Sequence, residues 1–367
     1  MNANAQNPNP IPASSSRESA SIRGSELPLT VRPEKILALQ FKYFGDAVLL
    51  TPALRALRAH FPQAELHLLA PSEVAPLFEH LPWLTRVWPM PRRRGRASLG
   101  ETWPLIRALR RERFDRSVDF AGNDRGAILS FFIGAKVRLG WEQGGGFLGR
   151  RFCYTGRVAL RDDAAHESAR MARLLSGWNV PPPDSLEPEV RPDPALAGKA
   201  KKILPHDNAV LCHVASSQPR KEWPLAYWNE LQKLVAPTGR RVVFTTPLGA
   251  REAGLMAELQ KIMPAAEVLP AISDLPLFLA VLARARAFVS GDTGPLHFAA
   301  GLGVPTVSLF GPTSSARWGP IGPRHQILNA GTCVCEQNSA VCSAPRHCLA
   351  DILPAQAAAA LRAVLHI

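Results

Sequence analysis

The chain of 367 residues has no long apolar run. Its hydrophobic stretches reach only about 5 to 8 residues, well short of the 18 or more that a membrane-spanning helix requires. The first 30 residues, rich in Asn, Pro, Ser and Ala, also lack the apolar centre of a secretion signal and are expected to form a disordered tail. No helix-turn-helix, zinc-finger or aromatic-stacking motif accompanies the basic residues, so nucleic acid is not an expected partner. Acidic residues are in deficit, 30 against 43 Lys and Arg, for a net charge of +13. The chain is expected to be soluble and cytoplasmic, with room for two domains of ordinary size.

The basic charge is uneven. Between Arg86 and Arg116 stand ten arginines against Glu101, Glu112 and Asp115, with Arg92, Arg93 and Arg94 in a loop flanked by Pro and Gly. Such a patch suits an anionic partner, whether phosphate, a carboxylated sugar or an acidic membrane surface, and is equally consistent with a solvated face.

From residue 31 onward apolar strands alternate with helices. Strands are expected at 35–41, 64–70, 85–90, 116–120 and 135–141, with helices at 46–60, 73–80, 99–111 and after the Gly-Asn-Asp-Arg-Gly run at 122–126. Strands apolar throughout and separated by helices mark a parallel sheet covered on both faces, so a doubly wound α/β domain is assigned to 31–180. Residues 181–206, entered through the Pro-rich run near Pro181, read as a linker. The pattern then restarts over 207–350, with strands at 208–215, 240–247, near 267, 287–292 and 306–311. Two Rossmann-like domains facing across a cleft are expected, with ligands at the carboxyl ends of the strands.

Three strand-to-helix turns carry the chemistry. In the run Ser290 to Pro312, Asp292, Thr293 and Gly294 form the exit turn of a strand and Pro295 opens a helix, with His297 three residues after Gly294. Free amides and a helix N-terminus there suit a phosphate, while Asp292 suits sugar hydroxyls; simple capping by Asp292 or Thr293 is the competing reading. Asp-Thr-Gly also marks aspartic proteases, but those are β-rich and use two triplets, whereas here one triplet lies on a strand-to-helix turn. A second turn, His213 to Pro224, offers Ser216, Ser217, Arg220 and Lys221 ahead of a helix, with no Walker or G-x-G-x-x-G consensus. In the third, Gly45 and Asp46 close the first strand, and Asp46 is either an N-cap or a general base toward an acceptor hydroxyl.

Taken together, GDAVLLTPALRAL (45–57), HVASSQPRKEWP (213–224) and GDTGPLHFAAGLGVPTVSLFGPT (291–313) resemble glycosyltransferase family 9, the ADP-heptose:lipopolysaccharide heptosyltransferases. The resemblance spans about residues 35 to 350 in order. It implies a GT-B fold, with acceptor in the first domain and nucleotide-sugar in the second, and an inverting transfer in lipopolysaccharide inner-core synthesis at the cytoplasmic face of the inner membrane. Position by position, it implies Asp46 as catalytic base and Lys221 as the cation facing the donor diphosphate, with Ser216 and Ser217 beside it. Asp292 would contact the heptose, Thr293 and Gly294 would donate amides to phosphate, and His297 would support them. Ser216 stands where many members carry Gly, and Tyr43 and Phe44 are bulky for the position before Gly45.

An inverting displacement needs one base and a stabilised diphosphate, and the loops named hold no Asp-x-Asp, so no cofactor is expected. The Arg92 to Arg94 loop would receive an anionic lipid-linked oligosaccharide acceptor, with peripheral contact to the inner membrane. Two other readings compete: a different GT-B enzyme acting on another nucleotide-sugar, either a transferase or an epimerase that needs no acceptor, and a non-catalytic nucleotide-sugar binder. Cys153 and Cys212 read as buried inert thiols. Cys333, Cys335, Cys342 and Cys348 cluster with His347, and structural zinc, disulfide and unligated thiols all remain open there, a reducing cytosol disfavouring the disulfide. An Ala-rich helix within 351–367 is expected to pack back toward the first domain.

Overall fold

A computed structural model of the protein describes residues 32–91, 99–161, 165–331, 333, 342 and 347–367. The tail expected over 1–30 lies outside the described residues, as do Arg92, Arg93, Arg94 and Cys335.

The first half runs β1 (Lys35–Leu39), α1 (Phe44–Leu49), α2 (Thr51–His60), β2 (Glu65–Pro71), β3 (Arg86–Met90), α3 (Leu99–Glu112), β4 (Arg116–Asp119), α4 (Asp124–Ile133), β5 (Val137–Glu142), β6 (Gly156–Ala159) and α5 (Glu167–Leu174). After α6 (Ala197–Ile203) the second half runs β7 (Ala209–His213), α7 (Leu225–Val235), β8 (Arg241–Phe244), α8 (Ala250–Ile262) and β9 (Glu267–Val268). It continues with α9 (Leu275–Leu282), β10 (Ala287–Gly291), α10 (Gly294–Gly301), β11 (Thr306–Phe310), α11 (Ser315–Trp318), β12 (His325–Asn329) and α12 (Pro354–Leu365).

Each half holds a six-stranded sheet whose strand pairs are parallel, in the orders β3-β2-β1-β4-β5-β6 and β12-β11-β10-β7-β8-β9. Numbered within its own half, each sheet has the same order, 3-2-1-4-5-6. The crevice of such a sheet opens where the order reverses, between β1 and β4 in one half and between β7 and β10 in the other.

Alternation along the strands explains the layering. Ile36 and Ala38 of β1 join a core with α1, α2 and α5, while Leu37 and Leu39 join Ile106, Leu109, Leu129 and Ile133 from α3 and α4 on the other face. Both faces are covered, which is why β1 reads as an unbroken apolar run. The core under α1 and α2 continues into the second half through Leu279, Leu282, Phe288, Leu296 and Phe298, so the halves share one apolar cluster.

Several expectations need correction. The helix expected at 46–60 starts at Phe44 and breaks at Leu50, because Pro52 in the first turn of α2 has no amide to continue the hydrogen-bond ladder. Residues 73–80 form only a single 3-10 turn, Ala75–Leu77. The edge strands β6 and β12 were not anticipated: their half-exposed, short sequences lack the apolar run that marks an interior strand. The expected linker is a tied strap. Arg55 donates to the carbonyls of Ser185 and Glu187, Val190 N donates to Gly301 O at 2.8 Å, and α6 packs on α9.

The terminal helix also differs from expectation. Ala357, Ala358, Leu361, Val364 and Leu365 of α12 share a core with Val210, Val289, Val307 and Leu309 of the second sheet, and Trp223 Nε1 donates to Ile352 O at 2.9 Å. The outer face of β10 and β11 is apolar and needs a cover; α12 supplies it, beside α7, instead of reaching back to the first half.

Candidate active site

In the first half, β1 leads into α1 with Tyr43 as N-cap, so Asp46 lies in the first turn and is not the cap. Lys42, four residues earlier, places its Nζ 3.6 Å from Asp46 Oδ1 and 3.3 Å from Glu167 Oε1. Glu167, at the start of α5, is almost fully buried and also meets Arg170 at 3.0 Å and Arg317 of the second half at 3.3 Å. Burial pushes the Asp46 carboxyl above the usual carboxylate range; Lys42 opposes the shift and Glu167 adds to it. For Glu167 burial acts in the same upward direction, yet Lys42, Arg170 and Arg317 together outweigh it and hold the carboxyl below its usual range. One lysine therefore serves two acids, and the proton-accepting character concentrates on Asp46.

A cavity of about 210 Å³ opens beside this cluster, lined among others by Lys42, Gly122, Trp141, Gln143, Glu167 and Arg170. Its floor at the end of β4 is shaped by Asp119, which accepts from the amides of Ala121 and Gly122 and from Tyr154 Oη at 2.6 Å. Burial drives the Asp119 carboxyl up to about 6.

In the second half, Lys221 Nζ and Asp292 Oδ2 are 2.7 Å apart, both largely buried. The close approach of the two turns depends on Gly291, where a Cβ would sit 2.7 Å from Lys221 O. Thr293 is the extended N-cap of α10, but its side chain makes no capping bond, so capping is not its role. The positive end of α10 is left facing the crevice. Ser217 is exposed, whereas Ser216 is buried and its amide is already given to Glu222 Oε1 at 3.0 Å. Arg251 of α8 holds Glu222 at 2.8 Å and donates to Ser216 O, bracing the turn.

The two constellations meet where α1 packs on α10. His297 lies over Gly45, where a Cβ would come 2.8 Å from the ring, and Phe44 meets Phe298 edge to face at 5.7 Å. His297 Nε2 is 3.9 Å from Asp292 Oδ1, and its Nδ1 is buried with no hydrogen-bond partner among the described residues. Burial drives its pKa down to about 4, so the ring is neutral near neutral pH. A second bridge joins His166 Nε2 to Gly319 O at 2.9 Å, beside the Arg317–Glu167 pair.

Thus Asp46, Lys221, Asp292, Thr293, Gly294 and His297 are gathered at facing turns, and Ser216 and Ser217 lie on the same turn as Lys221, a few residues before it. Sequence reading missed Lys42, Glu167, Arg317, Glu222 and Arg251. Lys42 carried a signal, its i,i+4 spacing to Asp46; Glu167 and Arg317 are 150 residues apart and carried none.

Among the cysteines, Cys153 and Cys212 are buried and free, as expected. Cys333, Cys342 and Cys348 form no disulfide among the described residues, and burial together with the neighbouring Cys333 pushes the Cys348 thiol up to about 11. Among the described residues, no group of three or more His, Cys, Asp or Glu side chains gathers to hold a metal ion, and no helix is long and apolar enough to cross a membrane.

Two Rossmann sheets of one strand order, joined so that their crevices face each other, constitute the GT-B architecture of glycosyltransferases. Residues 102–346 match the model of glycosyltransferase family 9 (heptosyltransferase), and the chain belongs to that family. It is similar to lipopolysaccharide heptosyltransferase 2 of Salmonella typhimurium, 27% identical over 307 residues, covering 80% of this chain and 87% of the relative. Lipopolysaccharide heptosyltransferase 1 of Escherichia coli is 27% identical over 332 residues, 87% of this chain and 96% of the relative. Among solved structures, the glycosyl transferase family 9 protein from Veillonella parvula superposes with a TM-score of 0.78 at 19% identity, covering 91% of this chain and 97% of the other. The E. coli ADP-heptose lps heptosyltransferase II gives 0.72 at 21% identity, covering 90% and 98%.

Proposed function

We propose that this glycosyltransferase moves a heptose from ADP-heptose to an anionic, lipid-linked lipopolysaccharide core acceptor, with inversion at the anomeric carbon. The observation that carries the reading is the pairing across the crevice: a largely buried carboxyl of raised pKa, Asp46, opposite a lysine and an uncapped helix N-terminus. The relatives named above are lipopolysaccharide heptosyltransferases, which supports donor and acceptor class.

In this reaction Asp46 takes the proton of the acceptor hydroxyl as its oxygen bonds to the anomeric carbon, and the bond from that carbon to ADP breaks on the opposite face. The electron pair leaves with the diphosphate, whose charge Lys221 and the first amides of α10, from Thr293 and Gly294, absorb. Asp292 exchanges its bond to Lys221 for the sugar hydroxyls as donor binds, with Ser217 beside the phosphates and Ser216 bracing the turn through Glu222. His297 keeps α1 and α10 in register as a neutral ring. Charge compensation by these groups needs no metal. The acceptor sugar enters the cavity beside Lys42 and Arg170, and the lipid anchor brings the enzyme to the cytoplasmic face of a membrane.

The test is ADP release from ADP-heptose, with and without truncated lipopolysaccharide acceptors, in wild type and Asp46→Ala. Release that depends on acceptor and falls by roughly 10² to 10⁴ in the variant is expected. Acceptor-independent turnover, or full activity in the variant, overturns the reading.

A further inference from the structure

Helix α4 is apolar on two sides. Leu129 and Ile133 face the sheet core and Ala127 packs with Cys153 and Tyr154, while Ile128, Phe131 and Phe132, spaced i, i+3, i+4, stand exposed. From Gly126 to Ile133 the helix has no charged residue. A surface helix ordinarily turns a polar stripe to solvent, and one that is apolar all round requires a second apolar neighbour. The exposed patch continues onto the turn after β5, where Leu148 is fully exposed and Phe152 is 66% exposed. Continuity is physical: the Arg138 guanidinium lies 6.0 Å from the Phe131 ring and donates through Nε to Cys153 O.

The charges around this patch are lopsided. Each acid at its rim is matched, Asp124 by Arg150, Asp115 by Lys136 and Glu142 by Arg157. Arg110, Arg125, Arg138 and Arg151 are left without a carboxylate partner among the described residues, and Arg151 stacks on Phe152 at 4.7 Å. Exposed aromatic and aliphatic side chains interleaved with surplus arginines match the two requirements of an anionic bilayer surface, apolar insertion below the headgroups and cations at their level.

We infer that the outer face of α4 and the turn 147–152 dock onto an anionic lipid bilayer. The placement suits the proposed acceptor. The N-terminal end of α4 springs from Ala121 and Gly122, which line the cavity beside Lys42, so the cavity lies within about one length of this 10-residue helix, roughly 15 Å, of the docking face. A sugar core projecting from a bilayer under α4 reaches that distance. Docking goes beyond the transfer reading and depends on it only for the reason a membrane is near.

The test is co-sedimentation of the full chain with vesicles of phosphatidylethanolamine and phosphatidylglycerol, against pure phosphatidylcholine vesicles, without donor or acceptor. Wild type is expected to partition onto the anionic vesicles, with salt weakening the binding, and Phe131→Glu/Phe152→Glu to lower partitioning roughly tenfold or more. ADP release with a delipidated soluble acceptor is expected to be unchanged in this variant, and its thermal midpoint is expected to match wild type. A second variant, Arg138→Gln/Arg151→Gln, keeps the aromatics and is expected to lose selectivity for anionic over neutral vesicles. Equal partitioning of wild type and both variants overturns the proposal, as does absence of wild-type binding to anionic vesicles. A stable dimer in solution that the Phe131→Glu/Phe152→Glu variant dissociates also overturns it, assigning the face to a second copy. Because vesicle binding and soluble transfer are read separately, loss of one leaves the other standing or falling by itself.

Discussion

Asp46 lies in the helix that follows the first strand of one 3-2-1-4-5-6 sheet and Asp292 directly after the fourth strand of the other, the two strands that flank a switch point, and their charge environments differ. Asp292 holds Lys221 to itself at 2.7 Å. Asp46 is raised by burial first, and its one cation, Lys42 at 3.6 Å, is shared with Glu167, which has three cations in reach. Two copies of one topology thus present a proton acceptor on one side and an anion-binding pair on the other, and the difference lies in burial and in how neighbouring charges are shared.

The largest effect that would break this comparison is expected from Lys221→Ala. If the second half serves the leaving diphosphate, turnover falls by roughly 10² to 10³ with a smaller change in donor affinity, read by steady-state ADP release. A loss confined to donor binding would place Lys221 in ground-state recognition instead.

Next comes the sharing of Lys42. Glu167→Ala leaves Lys42, Arg170 and Arg317 without their buried acid, and a cost of about 3 to 5 kcal/mol is expected in denaturant unfolding. Glu167→Gln keeps the volume and tests the chemistry. It removes the like charge that raises Asp46 and frees Lys42 for it, so the acidic limb of kcat/KM moves to lower pH. An unmoved limb would mean that Asp46 is not the titrating base.

The contact between the halves is expected to show a smaller, structured effect. Gly45→Ala drives a methyl against the His297 ring and shifts α1 from α10, lowering kcat roughly tenfold at an unfolding cost of about 1 to 3 kcal/mol. His297→Ala in the same chain relieves the clash, so the double variant is more active than Gly45→Ala alone. Additive losses would show that the clash is not what limits the single variant.

The smallest is a pH slope. Asp119 has its folded pKa raised to about 6 from the ordinary 3.8, so its contribution to stability is full below pH 4 and lost as pH rises through about 6. Asp119→Asn is expected to flatten the thermal midpoint across that window; an unchanged slope would show that the carboxyl is already ionised in the fold.

Much of this was legible in the residues because it is local. The interior strands β1, β7, β10 and β11 announce themselves as apolar runs, and Gly45–Asp46 and Asp292–Gly294 as turns before apolar helices, since strand burial and helix starts are set by neighbours a few residues away. The short edge strands β6 and β12 were not legible, because half-exposed pairing leaves no apolar signature. Nor was the seat of α12, since an Ala-rich amphipathic helix fits any apolar face, and only the open face of β10 and β11 selects one.

By itself the chain determined two α/β halves and the residue types at their turns, because period, capping and glycine placement act over a few residues. Only the tertiary structure decided that Glu167 would meet Arg317, 150 residues away, and share Lys42 with Asp46, and that burial would leave Asp46 the acid with the raised pKa. Protonation depends on burial and on charges brought within a few ångströms, and those distances exist only once the two sheets are folded against each other.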